Sequence, residues 1–333
     1  MVWLGVRPGF VRVLGVEGEM AGPAAAVSRG LRHVALLHHG EPGGVSVLRG
    51  IVGDSLDRDE GVLVAVPGGS ADRLRAVVGA ESSRVTWMDM TSLGRNPARI
   101  IPAVLAFAAR HQGRGVTCVT EPVWPGRSAG ERQEVARHEA LVNLAFGEVR
   151  ATIVCLYDTM ALPRSVMADA AATHPVILSG GREQASTSYR EPAEPPARCN
   201  RRLAPPPRQS CELRYHRDLR PVRSFVARAA QQAGLSSPRA ADLVLAISEL
   251  AANTLRHTRA GGTLHVWRSA GALICQVQDT GQITDPLAGR RSQPADAAGG
   301  KGLWLVNQVC DLVQIRTRQG STTIRLHMRL AQP

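Results

Sequence analysis

Lysine is almost absent from this sequence of 333 residues: Lys301 is the only one, and arginine supplies the rest of the 40 positively charged side chains. The formal net charge is +12, but the arginines are spread along the chain without a dense basic run. Such a distribution does not favour a nucleic-acid-binding surface. The skew toward arginine is typical of GC-rich codon usage. We therefore expect the positive charge to serve an acidic protein partner rather than a nucleic acid.

Paired cysteines and long apolar runs are also missing. The 6 cysteines stand singly, with no Cys-x-x-Cys pair, so reduced thiols are expected rather than a disulfide framework. No apolar run reaches the ~18 residues of a membrane span. The N-terminus lacks a basic segment followed by an apolar core, so we expect a cytoplasmic protein without a signal peptide. Residues 1–30 are expected to be a disordered tail, or a start codon assigned too early with Met20 as the true start.

Residues 31–178 alternate short β-branched runs with segments of helical spacing. The runs predict strands at 34–37, 61–67, 85–90, 116–120 and 151–157. Helices are predicted between them at 45–57, 70–78, 97–111 and 131–146. This alternation predicts an α/β domain with a mostly parallel sheet covered on both faces. No Gly-x-x-x-x-Gly-Lys-Ser/Thr loop is present, so phosphate binding of the P-loop kind is excluded.

Polar residues of this domain suggest two kinds of site. The carboxyl ends of the predicted strands carry Asp89, Trp124 and Asp158, where a sheet of this kind would bind a small molecule. Four other residues could ligate a metal: His138, Glu139, Cys155 and His174. Their spacing matches no metal-binding motif. Structural histidines and an inert buried thiol are therefore the favoured interpretation.

Several unusual phrases of this domain resemble one known family. They lie at residues 94–97, 121–128, 138–146, 157–158 and 173–175. Across residues 31–189 the sequence resembles the MEDS domain, a sensory module of bacterial regulators. The resemblance implies a fold similar to KaiC and RecA without the phosphate loop. It also implies a small-molecule ligand at the N-terminal domain.

Residues 179–212 are rich in proline and arginine, including Pro205-Pro206-Pro207. This composition cannot bury enough apolar surface to fold alone, so a semi-extended linker is predicted. Beyond it, residues 213–330 predict two helices, strands at 263–268 and 273–278, a helix at 303–311, and strands at 313–317 and 322–328. Helices on one face of a largely antiparallel sheet would form an α+β two-layer sandwich.

The second predicted helix of this domain carries Glu249 and Asn253, four residues apart and so on one helical face. A carboxylate beside an amide oxygen suits a divalent cation such as Mg²⁺. Three short motifs follow, Asp279-Thr280-Gly281, Gly300-Lys301-Gly302 and Thr322-Thr323. In this order, the motifs resemble the N, G1, G2 and G3 boxes of the gyrase/histidine-kinase ATPase superfamily (the Bergerat fold). The short form, the RsbW-type anti-sigma-factor serine kinases, matches best across residues 213–328.

The resemblance implies ATP and Mg²⁺ as cofactors and a role for each residue. Asn253 would hold Mg²⁺, and Glu249 would orient or deprotonate the attacking hydroxyl as the catalytic residue. Asp279 would accept a hydrogen bond from the amino group of adenine. Gly281 would let the backbone pass close to the base.

The glycine loop and the last strand complete the implied site. Gly300 and Gly302 would free a lid and present backbone N–H groups to phosphates at a helix N-terminus. Lys301 would touch a phosphate. Thr322 or Thr323 would direct a hydroxyl toward adenine, and the sequence leaves open which one.

The family implies phosphorylation of a serine on an antagonist protein, sequestration of a sigma factor, or both. Kinases of this type often form homodimers. His257 ends the helix that carries Asn253, and no separate helical hairpin precedes it, so autophosphorylation on histidine is not expected. One alternative is a non-catalytic ATP-binding clamp on the sigma factor. Another is a DNA-binding regulator, which the net charge alone suggests.

Overall fold

The computed structural model describes residues 30–191, 200–258, 260–269, 271–291 and 300–331. The expected tail at residues 1–29 lies outside this part of the chain. Among the described helices, none combines the length and the apolar character that crossing a membrane requires.

The N-terminal part is an α/β unit. Strands β1 to β7 are Leu31–His38, Gly61–Val66, Thr86–Asp89, Val116–Thr120, Ala151–Asp158, Val176–Ser179 and Arg182–Ala185. Helices α1 to α6 are Glu41–Asp57, Gly68–Val78, Met90–Leu93, Ile100–Ala109, Ala129–Ala145 and Arg164–Thr173. The sheet order is β3-β2-β4-β5-β1-β6-β7, and the paired strands are parallel except for β7 against β6. The predicted mostly parallel sheet is confirmed.

The continuous apolar runs follow from burial on both faces of this sheet. In β2, Leu63 packs into the core on one face, while Val62 and Val64 pack into the core on the other. A strand covered on both faces has no solvent-facing positions to make polar, so its sequence does not alternate. Helices α4 and α5 cover the first face, and α1 and α2 cover the second.

The sheet extends into the segment that the sequence assigns to the linker. Gly180 and Gly181 have φ angles of 56° and 75°, in the left-handed region that glycine tolerates. They form the turn of a hairpin between β6 and β7. Strand β7 is exposed along its length, so it lacks the apolar alternation that would identify it in the sequence.

The C-terminal part is an antiparallel sheet with helices. Strands β8 to β12 are Cys211–Tyr215, Gly262–Ser269, Ala272–Asp279, Leu312–Arg318 and Ser321–Arg329. Helices α7 to α9 are Arg220–Ala233, Ser237–His257 and Lys301–Val309. The sheet order is β11-β12-β10-β9-β8, and the four pairings between neighbouring strands are antiparallel. Apolar residues of the three helices and of the sheet share one core, as a two-layer arrangement requires.

The two parts pack directly against each other. Asn96, just before a short 3₁₀ turn at Pro97–Arg99, donates from Nδ2 to the backbone oxygen of Asn307 in α9 at 2.9 Å. Leu287, which follows β10, is buried in the core of the N-terminal domain. Helix α5 also contacts β11 and β12, as described below. The domains are therefore joined by a buried interface as well as by the chain between them.

Candidate functional site

A cavity of about 730 Å³ opens between α8, β10 and the start of α9. Its volume lies within the ~300–1,000 Å³ of typical small-molecule pockets. Eight of the residues predicted from sequence line it: Glu249, Asn253, Asp279, Gly281, Gly300, Lys301, Gly302 and Thr322. Thr323 does not line it. The tertiary structure thus gathers motifs that are far apart in the chain.

Asp279 is held in place at the end of β10. Its Oδ1 accepts from the backbone N–H of Gly281 at 2.9 Å, and its Oδ2 accepts from the Thr254 hydroxyl at 2.6 Å. Thr254 in turn accepts from the Tyr215 hydroxyl at 3.2 Å. Burial raises the pKa of Tyr215 to about 12, so this phenol remains a donor at neutral pH. Thr254 and Tyr215 are residues that sequence reasoning missed; Thr254 follows Asn253 directly, which was the available signal.

The threonine pair in β12 is divided between two faces of the strand. Thr322 is buried and donates from Oγ1 to the backbone oxygen of Gly281 at 2.9 Å. Thr323 points to the opposite face, because side chains alternate along a strand. The hydroxyl beside Asp279 is therefore that of Thr322. The proposed contact of either hydroxyl with adenine stays a prediction.

Glu249 and Asn253 face the start of α9. A Cβ added to Gly302 would lie 2.6 Å from Oε2 of Glu249 and 3.3 Å from Nδ2 of Asn253. A side chain at position 302 would therefore force the Glu249 carboxylate or α9 to shift, since real Cβ atoms essentially never come this close to another atom. Asn253 Oδ1, the predicted cation ligand, accepts from Nη1 of Arg256 at 3.0 Å. Arg256 also lines the cavity.

Helix α9 begins at the rim of the cavity. Gly300 precedes it with a φ of 84°, a left-handed conformation that costs other residues roughly 1–2 kcal/mol. Lys301 is the first helical residue. Backbone N–H groups at such an N-terminus are unpaired within the helix and favour anions. Residues 292–299, which precede this glycine, lie outside the part of the chain that the structure describes.

A second polar cluster lies inside the N-terminal domain. His33, Glu139, Cys155 and His174 are all buried, and their ligand atoms lie within 4.8 Å of one another. Burial, together with His174, lowers the pKa of His33 to about 4. Burial and the Glu139 carboxylate raise the pKa of the Cys155 thiol well above its usual value. Sequence reasoning named the other three but missed His33, whose position in an apolar strand offered no motif.

The small-molecule pocket expected at the carboxyl ends of the N-terminal strands stays a prediction. Clefts of about 260 and 270 Å³ lie at the opposite edge, around Val116 and Arg150 at the amino ends of β4 and β5. A smaller cavity of about 10 Å³ lies beside Glu139 and Tyr157. It offers roughly the space of one water molecule.

The fold and the cavity define a protein of two units, a mostly parallel α/β domain and an antiparallel sandwich with a nucleotide-sized pocket. Residues 32–175 match the model of the MEDS family, the methanogen/methylotroph DcmR sensory domain. Residues 214–328 match the model of the histidine kinase-like ATPase domain. The chain therefore carries a MEDS domain followed by a histidine kinase-like ATPase domain, which confirms both resemblances. A domain of the second family implies nucleotide binding.

Solved structures resemble parts of the chain. The RsbU and RsbW domains of Rv1364c from Mycobacterium tuberculosis share 22% identity over 39% of this chain and 34% of that chain, with a TM-score of 0.29. The histidine kinase AdeS of Acinetobacter baumannii shares 13% identity over 37% of this chain and 68% of that chain, with a TM-score of 0.24. The ATPase domain of G40P shares 12% identity over 44% of this chain and 68% of that chain, with a TM-score of 0.32. The chain thus spans about a third of the Rv1364c structure. A comparison with curated proteins found no match.

Proposed function

We propose that this protein is a signalling regulator in which the MEDS domain controls an ATP-binding domain of the anti-sigma-factor serine kinase kind. Its output would be phosphorylation of a serine on an antagonist protein, sequestration of a sigma factor, or both. The observation that carries the proposal is the single cavity lined by Glu249, Asn253, Asp279 and the Gly300–Lys301–Gly302 loop. Such a regulator would act in the cytoplasm, and kinases of this kind often work as homodimers.

The cavity offers groups suited to each part of ATP. Asp279 has a fixed carboxylate, since Gly281 and Thr254 hold its two oxygens. A carboxylate so placed can accept from the amino group of adenine, which guanine lacks at that position. At the other end, the N-terminus of α9 and Lys301 present positive potential to phosphates. When bound, Mg²⁺ would neutralise phosphate charge, with the amide oxygen of Asn253 as its protein ligand.

Glu249 is the residue we assign to catalysis. Its carboxylate lies beside the start of α9, where the phosphates would bind. From there it can orient the serine hydroxyl of a partner or accept its proton. Glu249 lies in the middle of α8, so a rigid helix sets its position.

Control by the MEDS domain has a physical route through helix α5. Arg137 of this helix donates from Nη1 to the backbone oxygen of Ile315 in β11 at 2.8 Å. Glu131, which also closes a capping box with Ser128, accepts from Arg329 in β12 at 2.7 Å. A shift of α5 would therefore move two strands of the ATPase sheet. Thr322, which lines the cavity, belongs to one of those strands.

The non-catalytic clamp is the second candidate, and Arg256 favours it. Its guanidinium engages Asn253 Oδ1, the oxygen that Mg²⁺ would need. A guanidinium at this point can itself neutralise phosphate charge, which would allow nucleotide binding without the cation. In that case ATP would stabilise a binding surface and no phosphate would be transferred.

Calorimetry with ATP, with and without Mg²⁺, distinguishes these readings. For the kinase we expect Mg²⁺-dependent binding that Asn253→Ala removes, and serine phosphorylation of an antagonist that Glu249→Gln removes without loss of ATP binding. Binding that ignores Mg²⁺ and weakens in Arg256→Ala would identify the clamp. Wild-type protein that binds no adenine nucleotide would contradict both. A DNA-binding regulator would instead show steeply salt-dependent affinity for duplex DNA.

A further inference from the structure

We propose that His33, Glu139, Cys155 and His174 form a binding site for a divalent first-row transition metal, with Zn²⁺ as the best fit. Their ligand atoms lie within 4.8 Å of one another, and each residue is at most 1% exposed. The site is separate from the nucleotide cavity and does not depend on the function proposed above.

The fold delivers the four side chains from four elements. His33 lies on β1 and Cys155 on the adjacent parallel strand β5. In the register of these strands Ala35 faces Cys155, so His33 and Cys155 lie two positions apart on the same face of the sheet. Glu139 projects from α5, and His174 directly follows α6. Successive members of the cluster are 106, 16 and 19 residues apart in the chain, which explains why no metal motif is visible in the sequence.

Hydrogen bonds fix both imidazoles with Nδ1 as the donor. His174 Nδ1 lies 2.9 Å from the backbone oxygen of Ala170, which can only accept. His33 Nδ1 lies 3.1 Å from Oδ1 of Asn143. The orientation of that amide is set by its Nδ2, which donates to the backbone oxygen of Thr173 at 2.8 Å. Metal-binding histidines are held in this way by outer partners.

The opposite nitrogens therefore turn their lone pairs into one space. His33 Nε2 lies 3.1 Å from Oε2 of Glu139, and His174 Nε2 lies 3.4 Å from the same oxygen. Among the described residues, His174 Nε2 and Glu139 Oε1 are buried without a hydrogen-bond partner. Lone pairs facing one another in a buried space require a positive centre between them. A metal ion supplies it, and so would a proton on one imidazole.

The distances suit a tetrahedral metal. Cys155 Sγ lies 3.3 Å from Glu139 Oε2 and 3.5 Å from His33 Nε2. Ligands that surround Zn²⁺ at about 2.0–2.3 Å are themselves roughly 3.3–3.8 Å apart. The pairs at 3.1–3.5 Å already have about this spacing, and the more distant atoms of the cluster, up to 4.8 Å apart, would have to move closer together to complete the site. Two imidazoles and a thiolate select Zn²⁺, Co²⁺ or Fe²⁺ over Mg²⁺ and Ca²⁺.

Binding would exchange a proton for the metal. The Cys155 S–H bond breaks, the sulfur–metal bond forms, and the proton passes to solvent. No electron is transferred. Four protein ligands close the coordination shell, which is typical of structural or sensing sites rather than of catalytic ones.

Metal content of the full chain tests the site. We would express the protein without a histidine tag in zinc-supplemented medium and measure metal by plasma mass spectrometry. We expect about one Zn²⁺ per chain in wild type and in Cys118→Ser, whose thiol is equally buried on the neighbouring strand β4. The Zn²⁺ content of Cys155→Ser and of His174→Gln should be lower than that of wild type by a factor of about ten or more. Wild type that holds no more metal than these two variants would overturn the proposal.

Cobalt provides a measurement that does not rely on variants. Wild type unfolded with a chelator and refolded with Co²⁺ should gain thiolate charge-transfer bands and the intense visible bands of tetrahedral Co²⁺. Cys118→Ser should keep both. If refolding with Co²⁺ or Zn²⁺ gives neither bands nor a higher melting temperature, a proton occupies the space and the site binds no metal.

Discussion

Nη1 of Arg316 in β11 donates to Oε1 of Glu134 in α5 at 2.7 Å, and both side chains are at least 96% buried. This pair joins the MEDS domain to the ATPase domain. Arg290 approaches the other oxygen of Glu134 at 3.9 Å. Two arginines thus depend on one carboxylate for charge compensation. Burial, together with Arg137, lowers the pKa of Arg290 to about 10.

Replacing that carboxylate should loosen the domain interface. Glu134→Gln leaves Arg316 and Arg290 buried without a counter-charge, so we expect a loss of about 3–5 kcal/mol in the free energy of unfolding. Urea titration followed by circular dichroism measures it, and the two domains should then unfold in separate transitions. Asp72→Asn, which breaks the exposed pair with Arg75, is the control and should cost at most about 1 kcal/mol. Equal losses in the two variants would contradict a buried, energetically important interface.

Asp279 should determine the affinity for adenine nucleotides. Asp279→Asn keeps the size of the side chain but replaces one acceptor oxygen with a donor. We expect about 10–150-fold weaker ATP binding, the value of a hydrogen bond to a charged group. Asp285→Asn is a matched control, because Asp285 lines the same cavity but bonds its own loop at Leu287 N. Titration calorimetry measures the ATP affinity of both variants. An unchanged affinity in Asp279→Asn would show that Asp279 does not recognise adenine.

A side chain at Gly302 should displace the Glu249 carboxylate from its place beside α9. The Cβ of Gly302→Ala would lie 2.6 Å from Glu249 Oε2, so α9 or the glutamate must move. We expect nucleotide binding to fall at least about tenfold, since a displacement of even 1 Å is costly at such a site. Gly50→Ala in α1 is the control, because its Cβ meets open space and alanine favours a helix by about 0.5–1 kcal/mol. Nucleotide affinity that is the same in both variants would show that the close approach has no role.

His327 should make the protein sensitive to acid. Burial and, to a smaller extent, the charge of Arg325 lower the pKa of His327 to about 4, although the carboxylates of Glu131 and Asp311 act in the opposite direction. The unfolded state therefore binds the proton first, and stability falls as pH drops from about 6.5 to about 4. At about 1.36 kcal/mol per pKa unit, the loss in the free energy of unfolding is at most about 3.4 kcal/mol. His327→Gln should reduce the pH dependence of the urea-derived stability across this window by this amount, while His33, whose pKa is also lowered to about 4, maintains a further part of it. An unchanged slope would assign the acid sensitivity to other groups.

Much of the architecture was predictable from local patterns. The β-branched runs of β2 and β4 and the helical spacing in α8 identify their elements, because a strand covered on both faces and an amphipathic helix have characteristic periods. Strands β6, β7 and β8 and helix α6 were not predicted. The three strands are only four or five residues long and β7 is exposed along its length, so their sequences show no clear apolar alternation.

Residues near one another in the chain, or ordered in a known series of motifs, were accessible to sequence reasoning. Glu249 and Asn253 share a helical face, and the motifs around Asp279 and Gly302 follow in the order of the family. The choice of Thr322 over Thr323 for the cavity needed the register of β12, since a shift of one residue exchanges the two faces of a strand.

The sequence by itself identified the two families whose models match the chain and eight of the residues that line the cavity beside α8 and α9. Only the tertiary structure decided that Glu134 meets Arg316 and that His33 joins Glu139, Cys155 and His174. Glu134 and Arg316 are 182 positions apart in the chain, and His33 is 106 positions from Glu139. Glu139, Cys155 and His174 are closer to one another in the sequence. No local period or spacing encodes such contacts. They arise because strand order and helix packing bring distant segments to one place, where buried charges and lone pairs must find partners.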